Sequence, residues 1–297
     1  MAEPFIAIDW GMTNRTVFDF GANGELANCH RDSRGVLTFE RSELPAEIAR
    51  LRSQYGKKAI LAAGSIGSDM GWVKAPYVKA PATIAQIASM VVDTDIPFLS
   101  VVPGVEMRGD DGMPDVMRGE ELQFLGADAA GLVPPGALLC QPGTHCKWAR
   151  VDAARLTWFS TAMTGELFAL LSRHSLLIGP KAGPVDCNGP EFARGVLAAP
   201  AGALQSLLFK ARAARVTGKW SSSQSAAYVS GLLIGSDVFH HIKVDAESVY
   251  VLADREIGNC YITANRLLGG SAKLVDSEAA FAAGARQVWR AMAGELA

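Results

Sequence analysis

The sequence predicts an α/β fold made of two related lobes, and three observations carry that prediction. The chain has 297 residues, longer than one average domain of about 100–150 residues, so two domains are expected. The stretch Gly131-Leu132-Val133-Pro134-Pro135-Gly136 falls near the middle, and paired prolines flanked by glycine continue neither a helix nor a strand. The order of elements then recurs on either side of it, although no residue-level repeat exists. Each half opens with three strands and a helix and continues by strand–helix alternation. A first domain at 1–134 and a second at 135–297 follow from this.

In the first half, Phe5 to Asp9 is apolar until its last residue and reads as a buried strand. Thr16 to Phe20 is β-branched and aromatic, and Glu25 to His30 follows the turn signal Asn23-Gly24. Leu44, Ile48 and Leu51 form one stripe of a helix over Ser42 to Tyr55, with Ser42 as its cap. A strand at Lys58 to Ala63 runs into the loop Gly64 to Gly71. A helix near Thr83 to Val92, a strand at Phe98 to Val102 and a helix at Gly119 to Ala127 complete the half. In the second half, strands are expected at Ala137 to Gln141, Lys147 to Val151 and Thr157 to Thr161. Helices fit Gly165 to His174, Ala203 to Val216 and Gln224 to His241. Strand Ser248 to Ala253, helix Ile257 to Leu268, strand Ala272 to Val275 and helix Glu278 to Met292 close the chain.

Twenty-eight basic residues against thirty acidic leave a net charge of −2. That balance argues against a nucleic-acid groove or a membrane-surface role, both of which need clustered positive charge. The residues Met1 to Asp9 hold no basic n-region and no long apolar stretch, so no signal peptide is expected. The most apolar segment, Ala226 to Ile234, is too short to span a membrane. The five cysteines, Cys29, Cys140, Cys146, Cys187 and Cys260, form no Cys-x-x-Cys pair and read as reduced thiols of a cytoplasmic protein. No histidine stands at zinc-ligand spacing from them. A homo-oligomer stays open, because an apolar helix face belongs equally well to a core or an interface.

Function is concentrated in two turns. Gly11-Met12-Thr13-Asn14 and Pro142-Gly143-Thr144-His145 occupy matching positions between the first and second strands of each half. Exposed backbone N–H groups in such turns form an anion-binding concavity, glycine permits close approach, and threonine adds a hydroxyl donor. Paired lobes with such turns suit a polyphosphate; simple hairpin turns are the plainer reading. Asp9 directly precedes the first turn and can hold a hydrated Mg²⁺, which takes only one or two protein carboxylates; capping the turn is its alternative. No G-x-x-x-x-G-K-[ST], no G-x-G-x-x-G after a strand and no G-x-S-x-G is present.

Together these pieces resemble a known family. Ile6-Ala7-Ile8-Asp9-Trp10-Gly11-Met12-Thr13-Asn14 is similar to the first phosphate loop of the acetate and sugar kinase/Hsp70/actin superfamily. More narrowly the chain resembles the 2-dehydro-3-deoxygalactonokinase family. The matching stretches are Gly64-Ser65-Ile66-Gly67-Ser68, Gly71-Trp72, Ala75-Pro76-Tyr77 and Val116-Met117-Arg118-Gly119-Glu120-Glu121. They continue with Pro142-Gly143-Thr144-His145-Cys146-Lys147-Trp148, Met163-Thr164-Gly165-Glu166-Leu167, His174-Ser175-Leu176 and Ser230-Gly231-Leu232-Leu233-Ile234-Gly235.

The resemblance implies two ribonuclease-H-like lobes with an inter-lobe active-site cleft. It also implies phosphorylation of the 6-hydroxyl of a 2-keto sugar acid, 2-dehydro-3-deoxy-D-galactonate, by ATP and Mg²⁺. Asp9, Gly11, Thr13 and Asn14 match the first phosphate loop, and Gly143, Thr144, His145 and Lys147 the second. Lys147 would stabilise the migrating phosphoryl, or stand as a solvated edge charge. A carboxylate must accept the sugar hydroxyl's proton. Glu120 is the choice, with Glu121 and Glu166 as rivals and sugar-contact candidates, since all three open predicted helices where acids also suit the dipole. Arg118 would bind the substrate carboxylate bidentately, or join a structural ion pair. Trp72 and Tyr77 would line the sugar pocket, or simply pack.

One stretch departs from the family pattern. Ala253-Asp254-Arg255-Glu256 places charges where a glycine shelf for adenine is expected, and Gly258 would serve as that glycine only in a longer turn. Two alternatives follow: a non-catalytic sugar-acid-binding relative, or a kinase of a neighbouring 2-keto sugar acid or amino sugar.

Overall fold

The computed structural model describes residues 3–109, 111–180, 182–242 and 248–295, and the chain divides into two compact units. The first takes in the chain up to Gly136, Arg150–Phe159 and the segment from Ser277 on; the second takes in Ala137–Ala149 and Ser160–Asp276.

The first unit is built on a six-stranded sheet. Its strands are β1 (Phe5–Trp10), β2 (Arg15–Phe20), β3 (Leu26–Asp32) and β4 (Ala59–Gly64), joined by two short strands further on. Helix α1 (Leu44–Tyr55) separates β3 from β4. After β4 come β5 (Tyr77–Lys79), β6 (Ala82–Thr83), α2 (Ile84–Ser89), β7 (Val92–Asp93) and β8 (Leu99–Val101). Then follow β9 (Gly104–Arg108), β10 (Pro114–Met117) and α3 (Glu120–Ala129). The sheet order is β3-β2-β1-β4-β8-β7, and β10-β9-β5 form a separate small sheet. β1 runs antiparallel to β2 and parallel to β4, with Asp9 opposite Ala63 and Trp10 opposite Gly64. The carboxyl ends of two parallel central strands therefore lie side by side, where α/β folds place their ligands.

Alternation along β1 sorts its side chains onto two faces. Ile6, Ile8 and Trp10 pack with Ile48 and Leu51 of α1. Phe5 stacks on Phe20 and, at 4.6 Å, on Trp289, while Phe18 stacks on Phe281 at 4.9 Å. Phe281 and Trp289 belong to the last helix, α9 (Ser277–Met292). The expected second domain of 135–297 is corrected here: its final helix covers the first unit's sheet, because those two aromatics complete an aromatic face that β1 and β2 leave open.

In the second unit β11 (Leu138–Gln141), β12 (Cys146–Asp152) and β13 (Arg155–Ala162) lead into α4 (Thr164–His174). After α4 come α5 (Pro190–Ala198), α6 (Leu204–Val216), α7 (Ser222–His241), β14 (Val249–Leu252), α8 (Arg255–Leu267) and β15 (Ala272–Val275). The strand order is β15-β14-β11-β12-β13, and β14 runs parallel to both β11 and β15. The far ends of β12 and β13 count with the first unit, where Arg155 and Leu156 pair with Thr83 and Ala82 of β6. Helix α7 is buried along most of its length, with Ala226, Val229 and Leu232 in the core beside Ile178 and Ala211.

Three local expectations are corrected. Ser42 is not a helix cap: it lies within a short 3₁₀ turn, Arg41–Glu43, whose capping box joins Glu40 and Glu43. The helix expected near Thr83 to Val92 is shorter, Ile84–Ser89, with β6 and β7 at its ends, while helix α5 and the short strands β5, β9 and β10 carry no periodic signal in sequence. Finally, Cys187 and Cys260, read from sequence as reduced thiols, are joined in a disulfide, with Cα atoms 5.1 Å apart and a sequence separation of 73. The loop after α4 folds back onto α8, a proximity that sequence spacing does not reveal. Among the described residues, no helix is long and apolar enough to cross a membrane.

Candidate active site

The first unit gathers acids at the end of β1 and the start of α3. Asp9 is the penultimate residue of the otherwise apolar β1, and the N-cap Gly119 brings the helix start beside it. Glu120 Oε2 accepts the Arg118 N–H at 2.9 Å, and Glu121 Oε2 accepts the Gly119 N–H at 2.7 Å. Gln123, one turn along, donates its Nε2 to Asp9 Oδ2 at 3.4 Å. Burial, and then the charge of Glu120, push the Asp9 carboxyl up to about 7 and the Glu121 carboxyl up to about 8. Glu121 is fully buried, so its side chain offers no surface to a sugar, whereas Glu120 is half-buried. The two neighbouring glutamates are thus separated by helix rotation alone.

A stability prediction follows from Glu121. The folded chain holds this proton up to about pH 8, while an unfolded chain releases it near the ordinary 4.5. Across that window the folded state binds more protons, so stability falls as pH rises and is lowest above about 8. Glu121→Gln should leave Tm nearly unchanged at pH 5 and raise it at pH 9. Thermal melts at the two values check this, and a lower Tm for the variant at pH 9 would contradict it.

The first turn is held from behind. The carbonyls of Gly11, Met12 and Thr13 accept N–H bonds from Val36, Leu37 and Gly35 at 2.9, 2.9 and 3.2 Å. Thr13 and Asn14 stay exposed at its tip, with Asn14 Nδ2 donating to Thr13 Oγ1 at 3.2 Å. Gly35 is a supporting residue that sequence reading missed: a Cβ there would lie 2.3 Å from the Thr13 carbonyl carbon. The backing segment is itself anchored. Trp10 Nε1 donates to Arg34 O at 3.0 Å, and Arg34 Nη2 meets Glu47 at 2.7 Å. Burial alone would raise the Glu47 carboxyl, but hydrogen bonds from Arg50, Arg34 and buried Arg15 hold it down to about 2.

The three remaining candidates of this unit do not converge on one spot. Arg118 lies over the Tyr77 ring at 4.3 Å and donates Nη2 to Ala75 O at 2.9 Å, while its Nε and Nη1 are buried without a partner. Trp72 packs against the Trp10 side of the sheet, and its Nε1 donates to Asp95 at 2.9 Å. That is the face opposite Asp9, so Trp72 and the acid group are apart.

In the second unit the turn Gly143-Thr144-His145 is exposed and rests on the start of α4. Glu166 N–H donates to Thr144 O at 2.9 Å, and its carboxylate meets His145 Nε2 at 2.6 Å. Glu166 is thereby a partner of the second turn, in a different unit from Glu120. Lys147 is buried, not a solvated edge charge, and its Nζ donates to Thr161 Oγ1 at 2.8 Å. Behind the turn, Asp237 of α7 accepts from Trp148 Nε1 at 2.8 Å, Thr164 Oγ1 at 2.9 Å and the Tyr261 hydroxyl at 3.0 Å. Burial would raise its carboxyl, yet hydrogen bonds from His241, Thr164 and Trp148 keep it below the ordinary range. A polar residue inside an apolar helix was the available signal for Asp237.

A cavity of about 470 Å³ opens in this unit, lined by Phe168, Ser172, Ser230, Glu256, Ile257 and Cys260 among others. The charges at 254–256 have a structural account: Asp254 caps α8, accepting the Ile257 N–H at 3.2 Å, and Glu256 sits in the helix's first turn. Gly258 is buried within α8, so it is not a shelf glycine in a longer turn.

Comparison with known proteins gives this geometry its family. The family model for 2-keto-3-deoxy-galactonokinase matches residues 9–288. The 2-dehydro-3-deoxygalactonokinase of Escherichia coli (strain K12) is 33% identical over 300 residues, covering 99% of this chain and all of that one. The crystal structure of a 2-dehydro-3-deoxygalactonokinase candidate from Sinorhizobium meliloti superposes with a TM-score of 0.85 at 31% identity, covering 97% of this chain and 96% of that chain. The ADPNP-bound activator of 2-hydroxyisocaproyl-CoA dehydratase from Clostridium difficile, 10% identical with a TM-score of 0.54 over 98% of this chain and 96% of its own, shares the fold alone. The acids of α3, the two turns and the strands that carry them therefore sit in a mixed α/β chain that belongs to the 2-keto-3-deoxy-galactonokinase family.

Proposed function

We propose that this carbohydrate kinase transfers the γ-phosphoryl group of ATP to the 6-hydroxyl of 2-dehydro-3-deoxy-D-galactonate, with Glu120 as general base. The observation that carries the residue assignment is the contrast at the start of α3: Glu121 is sealed, while Glu120 is half-buried with its carboxylate held by the Arg118 N–H. Phosphoryl transfer needs positioning and charge stabilisation more than covalent chemistry. Glu120 takes the hydroxyl proton as the oxygen attacks. The exposed turns at Gly11–Asn14 and Gly143–His145 offer backbone donors to phosphate oxygens, and Lys147 lies just beyond the second of them. The unpartnered Nε and Nη1 of Arg118 are donors that the sugar's carboxylate would satisfy.

The residues at Asp9 fit Mg²⁺. A carboxylate whose proton affinity is raised by burial and by the charge of Glu120 is relieved by a cation, and the buried, unpartnered Gln123 Oε1 suits a metal-bound water. Mg²⁺ takes few protein ligands and fills its shell with water and phosphate, so Asp9 suffices as the protein ligand. When bound, the ion would neutralise phosphate charge. We assign the nucleoside to the cavity beside α8, whose wall includes the expected adenine segment at Asp254 and Glu256.

Incubated with Mg-ATP and 2-dehydro-3-deoxy-D-galactonate, the protein should release one ADP per sugar acid consumed. Other 2-keto sugar acids and amino sugars should show lower kcat/KM. A folded sample without turnover would defeat the proposal. The second turn gives its own prediction: a Cβ on Gly165 would lie 2.3 Å from Gly143 O, so alanine must push the turn away. Gly165→Ala should weaken kcat/KM for ATP by about ten- to hundredfold, as displaced binding groups do, with sugar-acid binding measured by calorimetry unchanged.

A further inference from the structure

We infer that Cys187 and Cys260 form a thiol-modification site whose redox state sets the affinity for nucleotide. The inference rests on the nucleoside reading of the cavity beside α8. Cys260 lines that cavity from α8, and Ala182–Val185 line it from the loop that leads to Cys187. The disulfide therefore ties two walls of one cavity together. Among the described residues 182–186, four of the five are exposed, and Gly183 N–H donates to Ser223 Oγ at 3.2 Å.

Of the other cysteines, Cys29 is half-buried in the first unit beside Glu278 and does not line this cavity. Cys140 and Cys146 are buried 3.7 Å apart in the core, and burial pushes both thiols up, which keeps them protonated and unreactive. Cys187 is half-buried, so the cavity disulfide is within reach of a small thiol. A dithiol reductant supplies the chemistry in balance. Its thiolate attacks one cysteine sulfur, the Cys187–Cys260 bond breaks, and the reductant's second thiol closes on the mixed disulfide. Two electrons and two protons pass to the cysteines, and the reductant leaves as a cyclic disulfide. The freed loop then holds the cavity wall for only part of the time. Apparent affinity falls by that fraction, so an open loop for half to nine-tenths of the time weakens binding by about two- to tenfold.

The full chain provides the test. One portion is reduced with dithiothreitol, another oxidised with oxidised dithiothreitol, and each is freed of reagent. Titration of the denatured protein should count three thiols in the oxidised form and five in the reduced form. Calorimetry with a non-hydrolysable ATP analogue and Mg²⁺ should give a Kd about two- to tenfold higher for the reduced form, by the population argument above, with sugar-acid Kd unchanged. Cys187→Ser should behave as the reduced form under both treatments. Five thiols after oxidation overturn the inference, as does an equal Kd across verified redox states. Absence of nucleotide binding in both states overturns it together with the nucleoside reading, and so is told apart from failure of the redox effect alone.

Discussion

Glutamine at position 120 is expected to lower kcat by about 10²- to 10⁴-fold, the usual worth of a general base, while KM for the sugar acid stays within a few-fold. Gln keeps the carbonyl oxygen that accepts the Arg118 N–H, so the first turn of α3 keeps its geometry. It loses only the capacity to take a proton. The substitution has a second readout, independent of turnover. Glu120 raises the carboxyl values of both Asp9 and Glu121 by charge repulsion, so its removal should move both back toward the ordinary range. Carboxyl NMR titration of the folded variant measures that shift. Unchanged kcat with shifted neighbours would leave Glu120 as an electrostatic neighbour and pass the base to another carboxylate.

Much of this site is legible in sequence, for reasons that differ from residue to residue. Asp9 is visible because a charged residue ends an apolar strand just before a glycine turn. The second turn is visible because it recurs at the matching place in the other half. What separates Glu120 from Glu121 is the rotation of α3 about its axis, which depends on residues packed from elsewhere and leaves no local mark. Gln123 reads as an ordinary helix residue until its Nε2 is found on Asp9. Gly35 lies over twenty residues beyond the turn it supports, and only tertiary structure brings it to Thr13. The final helix misled by its position in the chain: nearness in sequence to the second unit suggested membership there, but the stacking of Phe281 on Phe18 decides otherwise. Cys187 and Cys260 were hidden by the same kind of distance.

Asn at position 9 should trade activity for stability, with the two effects separable by pH. Removing the carboxylate that would hold the metal is expected to lower kcat/KM by about 10²- to 10³-fold, comparable to loss of one preorganised charge-stabilising group. The folded protein keeps the Asp9 proton up to about pH 7, whereas the unfolded chain loses it near the ordinary 3.8. Between those values the folded state binds the extra proton, so the aspartate's contribution to stability falls as pH rises, and above about 7 a buried charge is left beside Glu120. Asparagine carries no such charge. At pH 8 without metal, Asp9→Asn should therefore melt higher than the parent, while at pH 5, where Asp9 is largely protonated, the difference should shrink. Added Mg²⁺ should raise the parent's Tm at pH 8 and leave the variant's nearly unchanged, because the variant lacks the carboxylate that would hold the ion. A variant that melts lower than its parent at pH 8 would mean that Asp9 is already paired in the free protein, and would remove the electrostatic reason for placing a cation there. The same carboxylate thus weakens the free protein and equips it for phosphoryl transfer, as expected where a site is shaped for a bound ion.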